Sequence, residues 1–425
     1  MAVDCPNSRG RGFCLRLLSL LVLPPGPTAT TTLSIGQNAT LKIAIVQETF
    51  NPFFGGSQRR VYEVSKRLVQ RGHSVHIFTV RFDRKWPEEE YVDGIHVHRY
   101  IKPWYGFITS VGWRSVTDVM KYSILTLAKL SKRVAFDLYE ANHCPLFPLM
   151  ATWHIAKAKK KPFTATFHEC WYSDWYKWAP NTLTAGVGII LERITTMLPN
   201  VLIAVSPLVK SRLTSFFGVP EGRIKVISNG VDPDPYPHTR PIKQFGKIVY
   251  VGRLNHHKRV DLLLQAYAEV KRRHQDVSLE ILGDGTERGF LEKLAQSLEL
   301  RNVVFRGKVS DREVVKALKS AWIKVLPSIR EGQGIVLLEA MAAGTPCIAV
   351  KSGGCNAVAD IIKNKETGLL ARPNVPSISE KINLLLSDND LWSRLREEGL
   401  DYVQEHTWEK ITEQYEGLYK KLIEG

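Results

Sequence analysis

A repeated alternation of short apolar runs with helical patterns is the feature that most constrains the fold of this 425-residue chain. The alternation begins with LKIAIVQ at residues 41–47, followed by a helical stripe of Val61, Val64 and Leu68 that ends at Gly72. Further apolar runs are HSVHIFTV, GIHVHRY, FDLYEAN, FTATFHE, VLIAVS and RIKVIS, with helical patterns between most of them. Strands that alternate with helices form a parallel sheet covered by helices on both faces. The sequence therefore predicts an α/β fold.

A proline-rich segment, NGVDPDPYPHTRP at residues 229–241, interrupts this alternation and is the best candidate for a linker. The pattern resumes with GKIVYVGRL and continues through VSLEILGDG, NVVFRGK, WIKVLPS and TPCIAV. The length also favours two domains. We predict an N-terminal extension over residues 1–40 that is disordered, doubly wound Rossmann-like domains over 41–235 and 236–406, and a C-terminal helix over 407–425.

Composition limits the class of protein and its partners. A formal net charge of +16 favours anionic partners, which include nucleic acid, a membrane surface and phosphorylated metabolites. The six cysteines form no CxxC pair, so the sequence indicates neither a disulfide framework nor a zinc site and favours a reducing, cytoplasmic setting. After the first forty residues, no stretch reaches the roughly 18 apolar residues of a membrane span.

Two strand-to-helix turns contain residues suited to phosphate. In FNPFFGGSQRR, Gly55 and Gly56 would let backbone amides approach a phosphate at a helix N-terminus, although an ordinary tight turn explains them equally well. In VGRLNHHKRV, Arg253 and Lys258 place two cations after a strand, where they suit a diphosphate. The alternative for the second turn is a solvated basic loop.

The segment REGQGIVLLEAMAAGTPCIAV, residues 330–350, contains two glutamates around a glycine-flanked turn. Glu331 precedes the predicted helix, whose first amides, those of Gly334, Ile335 and Val336, suit phosphate or sugar oxygens. Glu339 lies inside an apolar helix, where a carboxylate without a partner is costly and a sugar diol would satisfy it. A capping Glu331 and a Glu339 paired with a cation form the competing interpretation.

The segment EGQGIVLLEAMAAGTPCIA closely resembles the E-x7-E signature of the retaining glycosyltransferases of the family-4 type, also called glycosyl transferases group 1. GGSQRRVYEVSKRLVQRGHSVHIFT, VLIAVSPLVKSRL, RIKVISNGVD, VGRLNHHKRVDLLLQAYA and TGLLARP resemble other blocks of that family, in the same order. The resemblance implies a GT-B fold, with two Rossmann-like domains facing across a cleft. It also implies that the first domain binds the acceptor, the second binds a nucleotide sugar, and the C-terminal helix crosses back to the first domain.

Residue roles follow from the same resemblance. Glu331, His168, Arg253 and Lys258 are the expected catalytic residues: the two cations hold the diphosphate, Glu331 holds the sugar hydroxyls, and His168 lies near the reacting sugar. Glu339 is expected on the ribose. The expected donor-binding residues are Gly55, Gly56, Arg253, Lys258, Lys308, Val309, Glu331, Gly334, Ile335, Val336 and Glu339, with the backbone at Lys308 and Val309 near the base.

The resemblance implies a transferase that moves a sugar to a glycan, lipid-linked or small-molecule hydroxyl, without a cofactor or catalytic metal. DPD at 232–234 and DND at 388–390 imitate a metal-binding motif but fit a turn and a helix cap. The lysine-rich KAKKK at 157–161 and the tryptophans after His168 suggest peripheral contact with the anionic inner face of a membrane. The alternatives are a sugar-nucleotide epimerase on the same fold and a non-enzymatic nucleic-acid-binding protein; no nucleic-acid partner is expected.

Overall fold

The computed structural model describes residues 40–52, 55–100, 116–133, 135–233 and 243–425. The predicted N-terminal extension, apart from residue 40, and residues 234–241 of the proline-rich segment lie outside the described residues. The described chain forms two predominantly parallel sheets, each with apolar side chains buried beneath helices. The predicted α/β class with two doubly wound sheets is confirmed.

The first sheet has the strand order β3-β4-β2-β1-β5-β6-β7-β8. Its strands are β1 (Lys42–Val46), β2 (Ser74–Val80), β3 (Glu89–Val92), β4 (Ile95–Tyr100), β5 (Leu138–Asn142), β6 (Phe163–Phe167), β7 (Val201–Ala204) and β8 (Ile224–Val226). All neighbours are parallel except β3, which forms an antiparallel hairpin with β4 at the sheet edge. The sequence analysis did not predict β3, because EEYV is short, half polar and exposed on alternate residues.

The second sheet is entirely parallel, with the order β11-β10-β9-β12-β13-β14. Its strands are β9 (Lys247–Val251), β10 (Ser278–Leu282), β11 (Val303–Gly307), β12 (Ile323–Leu326), β13 (Cys347–Val350) and β14 (Leu369–Ala371). In both sheets the first strand of the domain lies at the centre, next to a point where the strand order reverses. Ligands of open parallel sheets bind outside the carboxyl ends of strands at such points.

The helices lie on both faces of the sheets. They are α1 (Gly56–Gln70), α2 (Val116–Ser131), α3 (Leu146–Ala158), α4 (Trp175–Trp178), α5 (Thr182–Met197), α6 (Pro207–Phe217), α7 (Val260–Lys271), α8 (Arg288–Ser297), α9 (Asp311–Ser320), α10 (Ile335–Ala342), α11 (Val375–Ser387), α12 (Asn389–Gln404) and α13 (Trp408–Glu424). Local sequence explains several ends. Ser206 caps α6 before Pro207, and Gly218, with a φ of 69°, ends that helix in the left-handed conformation.

The last helix, α13, lies against the first sheet's domain although it follows the second in sequence. Trp408, Ile411, Tyr415 and Tyr419 are buried in the core that β1, β2 and α1 also form. The Tyr419 hydroxyl hydrogen-bonds to the carboxylate of Glu140 on β5. This helix therefore ties the end of the chain to the first sheet, while the residue numbers of the domain boundaries stay predictions.

Candidate functional site

Strand ends from the two sheets face each other across a closed cleft. A Cβ atom added to Gly332, in the loop after β12, would lie 1.9 Å from the carbonyl oxygen of His168, at the end of β6. The side-chain oxygen of Gln333 accepts a hydrogen bond from the backbone amide of Asn229 over 2.6 Å. Arg59 on α1 forms an ion pair with Asp311 on α9, with 3.0 Å between the charged atoms. These contacts place residues of both domains in one site.

Glu331 is held rigidly at the mouth of this cleft. Its backbone amide donates to the carbonyl of Cys355 over 2.9 Å, and its carbonyl accepts from the amide of Ala357 over 2.8 Å. Its side-chain oxygen accepts a hydrogen bond from Lys258 Nζ over 2.6 Å, and both side chains are mostly buried. The structure therefore brings two predicted residues, separated by more than seventy positions, into direct contact.

The other predicted cation, Arg253, follows β9 and is exposed. In the part of the chain that the structure describes, its guanidinium makes no hydrogen bond and no ion pair, while its backbone carbonyl accepts a hydrogen bond from the Tyr250 hydroxyl. Lys258 ends a short 3₁₀ turn, and Arg259 after it adopts the left-handed conformation with a φ of 49°. The loop from β9 to α7 thus presents Arg253, which has no partner among the described residues, and Lys258 and Arg259, which are each paired with a carboxylate.

Glu339 lies in the second turn of α10, with its carboxyl half-buried. Among the described residues it has no hydrogen-bond or ion-pair partner at contact distance. Burial raises the pKa of this carboxyl, and the positive charges of Arg59 and Lys324 partly oppose the shift. The predicted alternative, in which a cation pairs with Glu339, is not what the structure shows. Burial of a carboxyl that has no partner among the described residues makes a polar ligand favourable.

His168 ends β6 on the opposite side of the cleft and is half-buried. Its Nε2 lies 2.7 Å from the side-chain oxygen of Asn142, which also accepts a hydrogen bond from Arg60 over 3.0 Å. Burial lowers the pKa of His168 well below its ordinary value, and the positive charge of Arg60 lowers it further. The imidazole is therefore neutral at physiological pH and has a fixed orientation.

The predicted phosphate-binding turns lie close to each other. Gly55 precedes α1 with an extended backbone, and a Cβ on Gly56 would lie 3.6 Å from a methyl carbon of Ile335. Ile335 is the first residue of α10, and Gly334 before it has a φ of 92°, which favours glycine. The first amides of a helix have no partner within it, so the ends of α1 and α10 both direct amide groups toward this region.

Lys308 and Val309 lie just after β11, the edge strand of the second sheet. They follow Gly307, the last residue of β11, and precede Ser310, which caps α9 in a capping box with Glu313. Lys308 is exposed and Val309 is half-buried against the core of the second domain. They follow β11, which β10 separates from β9, whereas Glu331 follows β12, a direct neighbour of β9. Lys308 and Val309 are therefore farther across the sheet from Lys258, which follows β9, than Glu331 is.

The structure adds three site features that the sequence analysis did not single out. Gly332 allows the close approach to His168, and the ion pair between Arg59 and Asp311 crosses the cleft. Lys324 is fully buried in β12, where Nζ donates to the Val251 carbonyl over 3.2 Å. Burial lowers the pKa of Lys324 to about 7. In the sequence, a lysine inside the apolar run WIKVLPS was the signal that could have identified this buried residue.

Two of the tryptophans that suggested a membrane contact, Trp171 and Trp175, make hydrogen bonds within the protein. Trp171 donates to the Glu169 carboxylate over 2.6 Å and Trp175 donates to Glu192 over 2.9 Å. The structure describes no side chain for Trp178. Two lysines of the KAKKK run also make local contacts: Lys159 donates to the Arg133 carbonyl, and Lys161 forms an ion pair with Asp137. These contacts favour ordinary packing for Trp171 and Trp175, and peripheral contact with a membrane stays a prediction.

Apolar side chains are instead exposed on α5. Leu183 is 77% exposed, and Val187, Ile190 and Met197 are also exposed on the same helix. Their spacing of three, four and seven residues places them along one stripe. Within the described ranges, every helix is too short or too polar to span a lipid bilayer.

One aspartate of each motif that imitates a metal site has a structural role. Asp232 forms an ion pair with Arg67 over 2.7 Å, and Asp388 caps α12 by accepting from the Leu391 amide over 2.9 Å. Among the described residues, the group that has the chemistry of a metal site is His76, His96 and His98, at the edge of the first sheet and outside the cleft. The sequence analysis did not identify it, because the three residues come from two separate strands.

Comparisons with known proteins agree with this architecture. A family model described as "Glycosyl transferases group 1" matches residues 239–401, and one described as "Glycosyltransferase Family 4" matches residues 54–235. An uncharacterized glycosyltransferase of Methanocaldococcus jannaschii is 29% identical over 418 residues, covering 90% of this chain and 99% of that protein. The two models together span most of the chain.

Solved structures show the same fold. Sucrose-phosphate synthase from Thermosynechococcus elongatus superposes with a TM-score of 0.75 at 24% identity, covering 89% of this chain and 98% of that one. The Anabaena protein HepE, in complex with UDP and glucose, superposes with a TM-score of 0.69 at 17% identity, covering 90% and 100%. The GT-B fold expected from the sequence is confirmed.

Proposed function

The chain belongs to the group 1 glycosyl transferases, and from this premise we propose that it is a retaining enzyme that uses a nucleotide-diphosphate sugar. The observation that carries the proposal is the contact of Lys258 with Glu331 at the ends of the neighbouring strands β9 and β12, with Arg253 in the same loop as Lys258 and Glu339 in the helix after Glu331. Cations suited to a diphosphate and carboxyls suited to sugar hydroxyls therefore occupy one site. The UDP bound by the HepE structure supports the same class of donor.

We propose that Arg253 and Lys258 stabilise the leaving diphosphate. When the bond from the anomeric carbon to the diphosphate oxygen breaks, its electron pair stays on that oxygen and negative charge grows there. Lys258 has three N–H donors, so it can keep its hydrogen bond to Glu331 and still donate to a phosphate oxygen. Arg253 has a free guanidinium among the described residues and can bind two phosphate oxygens at once.

The two glutamates have distinct proposed roles. Glu331 is held by its backbone and directed by Lys258, so its second carboxylate oxygen can accept a donor-sugar hydroxyl in a fixed position. Glu339 is half-buried and unpaired among the described residues, which suits the two hydroxyls of a ribose. The amides of Gly334, Ile335 and Val336, with those at Gly55 and Gly56, face the diphosphate in this arrangement, and the backbone at Lys308 and Val309 contacts the base.

His168 is the proposed residue on the acceptor side of the sugar. Because Asn142 Oδ1 accepts from Arg60, it acts as an acceptor toward His168 as well, which places the hydrogen on Nε2. A neutral imidazole beside the anomeric carbon adds no positive charge to a transition state that is itself positively charged there. The two cations and the helix N-termini supply the electrostatic stabilisation, so we propose a reaction that is independent of a metal ion.

The donor class is tested by measuring binding and turnover across UDP-, GDP-, ADP- and TDP-sugars. We expect one nucleotide sugar to raise the melting temperature and to yield transfer product whose anomeric configuration, read by NMR, matches that of the donor. Inverted product would contradict retention. Interconversion of nucleotide sugars without any acceptor would support an epimerase instead.

For the acceptor, we propose a lipid-linked glycan at an anionic membrane surface. The supporting observations are the exposed apolar stripe of Leu183, Val187 and Ile190 and the exposed Lys157 and Lys160, all in the first domain. Basic residues near an anionic surface contribute about 1 kcal/mol each. This attachment would be peripheral and weakened by salt.

Sedimentation with vesicles containing anionic lipid tests this attachment. We expect wild-type protein to pellet at low salt, and a Leu183→Ser, Ile190→Ser double variant to pellet less. A Val304→Ser variant, altered at an exposed apolar residue of the other domain, is the control. If wild-type protein stays in solution at low salt, a soluble acceptor replaces the lipid-linked one.

A further inference from the structure

Three histidines lie together at the edge of the first sheet, outside the cleft. His76 is on β2, and His96 and His98 are on β4. The parallel register of β2 with β4 sets His76 beside His96, and the antiparallel register of β3 with β4 sets Glu89 beside His98. Because alternate residues of a strand share a face, His96 and His98 point to the same side. Strand pairing itself thus assembles the cluster.

The distances within the cluster suit a shared ligand. One ring nitrogen of each histidine lies within 4.8 Å of the corresponding atoms of the other two. His76 Nδ1 and His98 Nε2 are 2.9 Å apart, and the centroids of the His96 and His98 rings are 3.9 Å apart. Zinc–nitrogen bonds of about 2.0–2.1 Å place the nitrogens of a tetrahedral site about 3.3 Å apart. Small side-chain rotations would bring the three rings to that spacing.

One outer ring nitrogen has a hydrogen-bond partner, and another lies near a carboxylate of the kind that surrounds metal ligands. His76 Nε2 lies 3.2 Å from the Ser74 hydroxyl, and His98 Nδ1 lies 3.3 Å from a carboxylate oxygen of Glu89. Histidines that bind metals commonly donate their second N–H to a carboxylate or another acceptor, which fixes the ring and its tautomer. Glu89 is itself held by an ion pair with Arg133, beyond the end of α2.

We propose that His76, His96 and His98 form a binding site for a divalent transition metal ion, of which zinc is the best match. Imidazole nitrogens favour zinc, copper and nickel over magnesium or calcium. His98 is almost fully buried, whereas His96 is 18% and Glu89 50% exposed, so an ion would enter from the side of the β3–β4 hairpin.

Charged residues from three segments face the cluster. The charges that face the cluster are Glu89 from β3, Lys42 from β1 and Arg133 from the segment after α2. A bound ion would link β2 to the β3–β4 hairpin, which gives the site a structural role separate from transfer.

The test uses tag-free, full-length protein treated with EDTA, dialysed, and titrated with zinc chloride. We expect one zinc per chain by elemental analysis, and a melting temperature that rises by about 3 °C at a free zinc concentration about 100 times Kd. With cobalt(II) instead of zinc, we expect the intense visible absorption of a four-coordinate site.

Two variants make the assignment specific. His96→Ala removes the most accessible imidazole of the cluster and should abolish the zinc stoichiometry, the thermal shift and the cobalt spectrum. His154→Ala, which removes an exposed histidine of α3, should leave all three unchanged. Circular dichroism and transfer activity should match wild type in both variants, since the cluster is outside the cleft. Absence of zinc binding by wild-type protein, or zinc binding retained by a folded His96→Ala variant, would overturn the proposal.

Discussion

Replacing Gly332 by alanine should disable transfer by holding the cleft open. The added Cβ would lie 1.9 Å from the His168 carbonyl oxygen and 3.0 Å from its carbonyl carbon. Both neighbours are backbone atoms, so no side chain can rotate out of the way. Real Cβ atoms essentially never approach another heavy atom closer than 3.0 Å, so the loop after β12 and the end of β6 must separate by about 1.1 Å.

This separation acts on the distance between the proposed reacting groups. His168 belongs to one domain and Glu331, adjacent to Gly332, belongs to the other, so the shift moves the two sides of the site apart. A misplacement of about 1 Å costs about 10²-fold in rate, which is about 2.7 kcal/mol of transition-state stabilisation. The interiors of the two domains do not change, so we expect kcat to fall about 10²-fold while the melting temperature stays within about 2 °C.

A continuous assay of nucleoside diphosphate release measures this effect, with kcat determined at saturating donor. Gly353→Ala is the matched control, because Gly353 lies in an exposed loop and a Cβ there would meet no atom within 4 Å. We expect the control to keep the wild-type rate. A Gly332→Ala enzyme with kcat within threefold of wild type would refute the argument that the closed cleft is the reactive state.

Four other predictions concern the same site. Glu331→Ala should nearly abolish transfer with the fold intact, whereas Glu339→Ala should chiefly raise the donor Kd; unchanged kinetics in both would remove the glutamates from the site. Arg253→Ala and Lys258→Ala should each lower kcat by about 10²-fold as well as weakening donor binding, because the leaving charge grows in the transition state. Transfer should survive EDTA, and a complete loss that magnesium or manganese restores would contradict a metal-independent reaction. In the folded protein the pKa of Lys324 is about 7, against an ordinary 10.5. Between these pH values the unfolded chain binds more protons than the folded chain, so Lys324 makes the free energy of unfolding rise with pH. In Lys324→Met, urea unfolding should show a free energy that rises less steeply with pH, by up to about 1.4 kcal/mol per pH unit.

Much of the fold was predictable from local patterns. Apolar runs such as KIVYV and CIAV became buried central strands, because a strand covered on both faces needs apolar side chains at every position. The edge strands β3 and β14 were not predicted. β3 has one exposed face and β14 has only three residues, so neither contains enough apolar residues to be distinguished from a loop.

The candidate site was predictable in its composition and less so in its contacts. The E-x7-E segment and the cations after β9 were recognisable as residue types at a fixed spacing. Their partners were not: Lys258 contacts Glu331, Glu339 stays unpaired among the described residues, and Gln333 bridges to Asn229. Such partners depend on which loops meet, and loops that meet are distant in sequence.

The sequence by itself determined the alternation of strands and helices, the division into two units, and the glycines and charges at the strand ends. These are local properties, because backbone propensity and the period of apolar residues act over a few positions. The tertiary structure alone decided that Gly332 must be glycine, that Lys324 is buried, and that three histidines from two strands share one face. Each of these depends on atoms from distant segments coming within a few ångströms, which only packing and strand register specify.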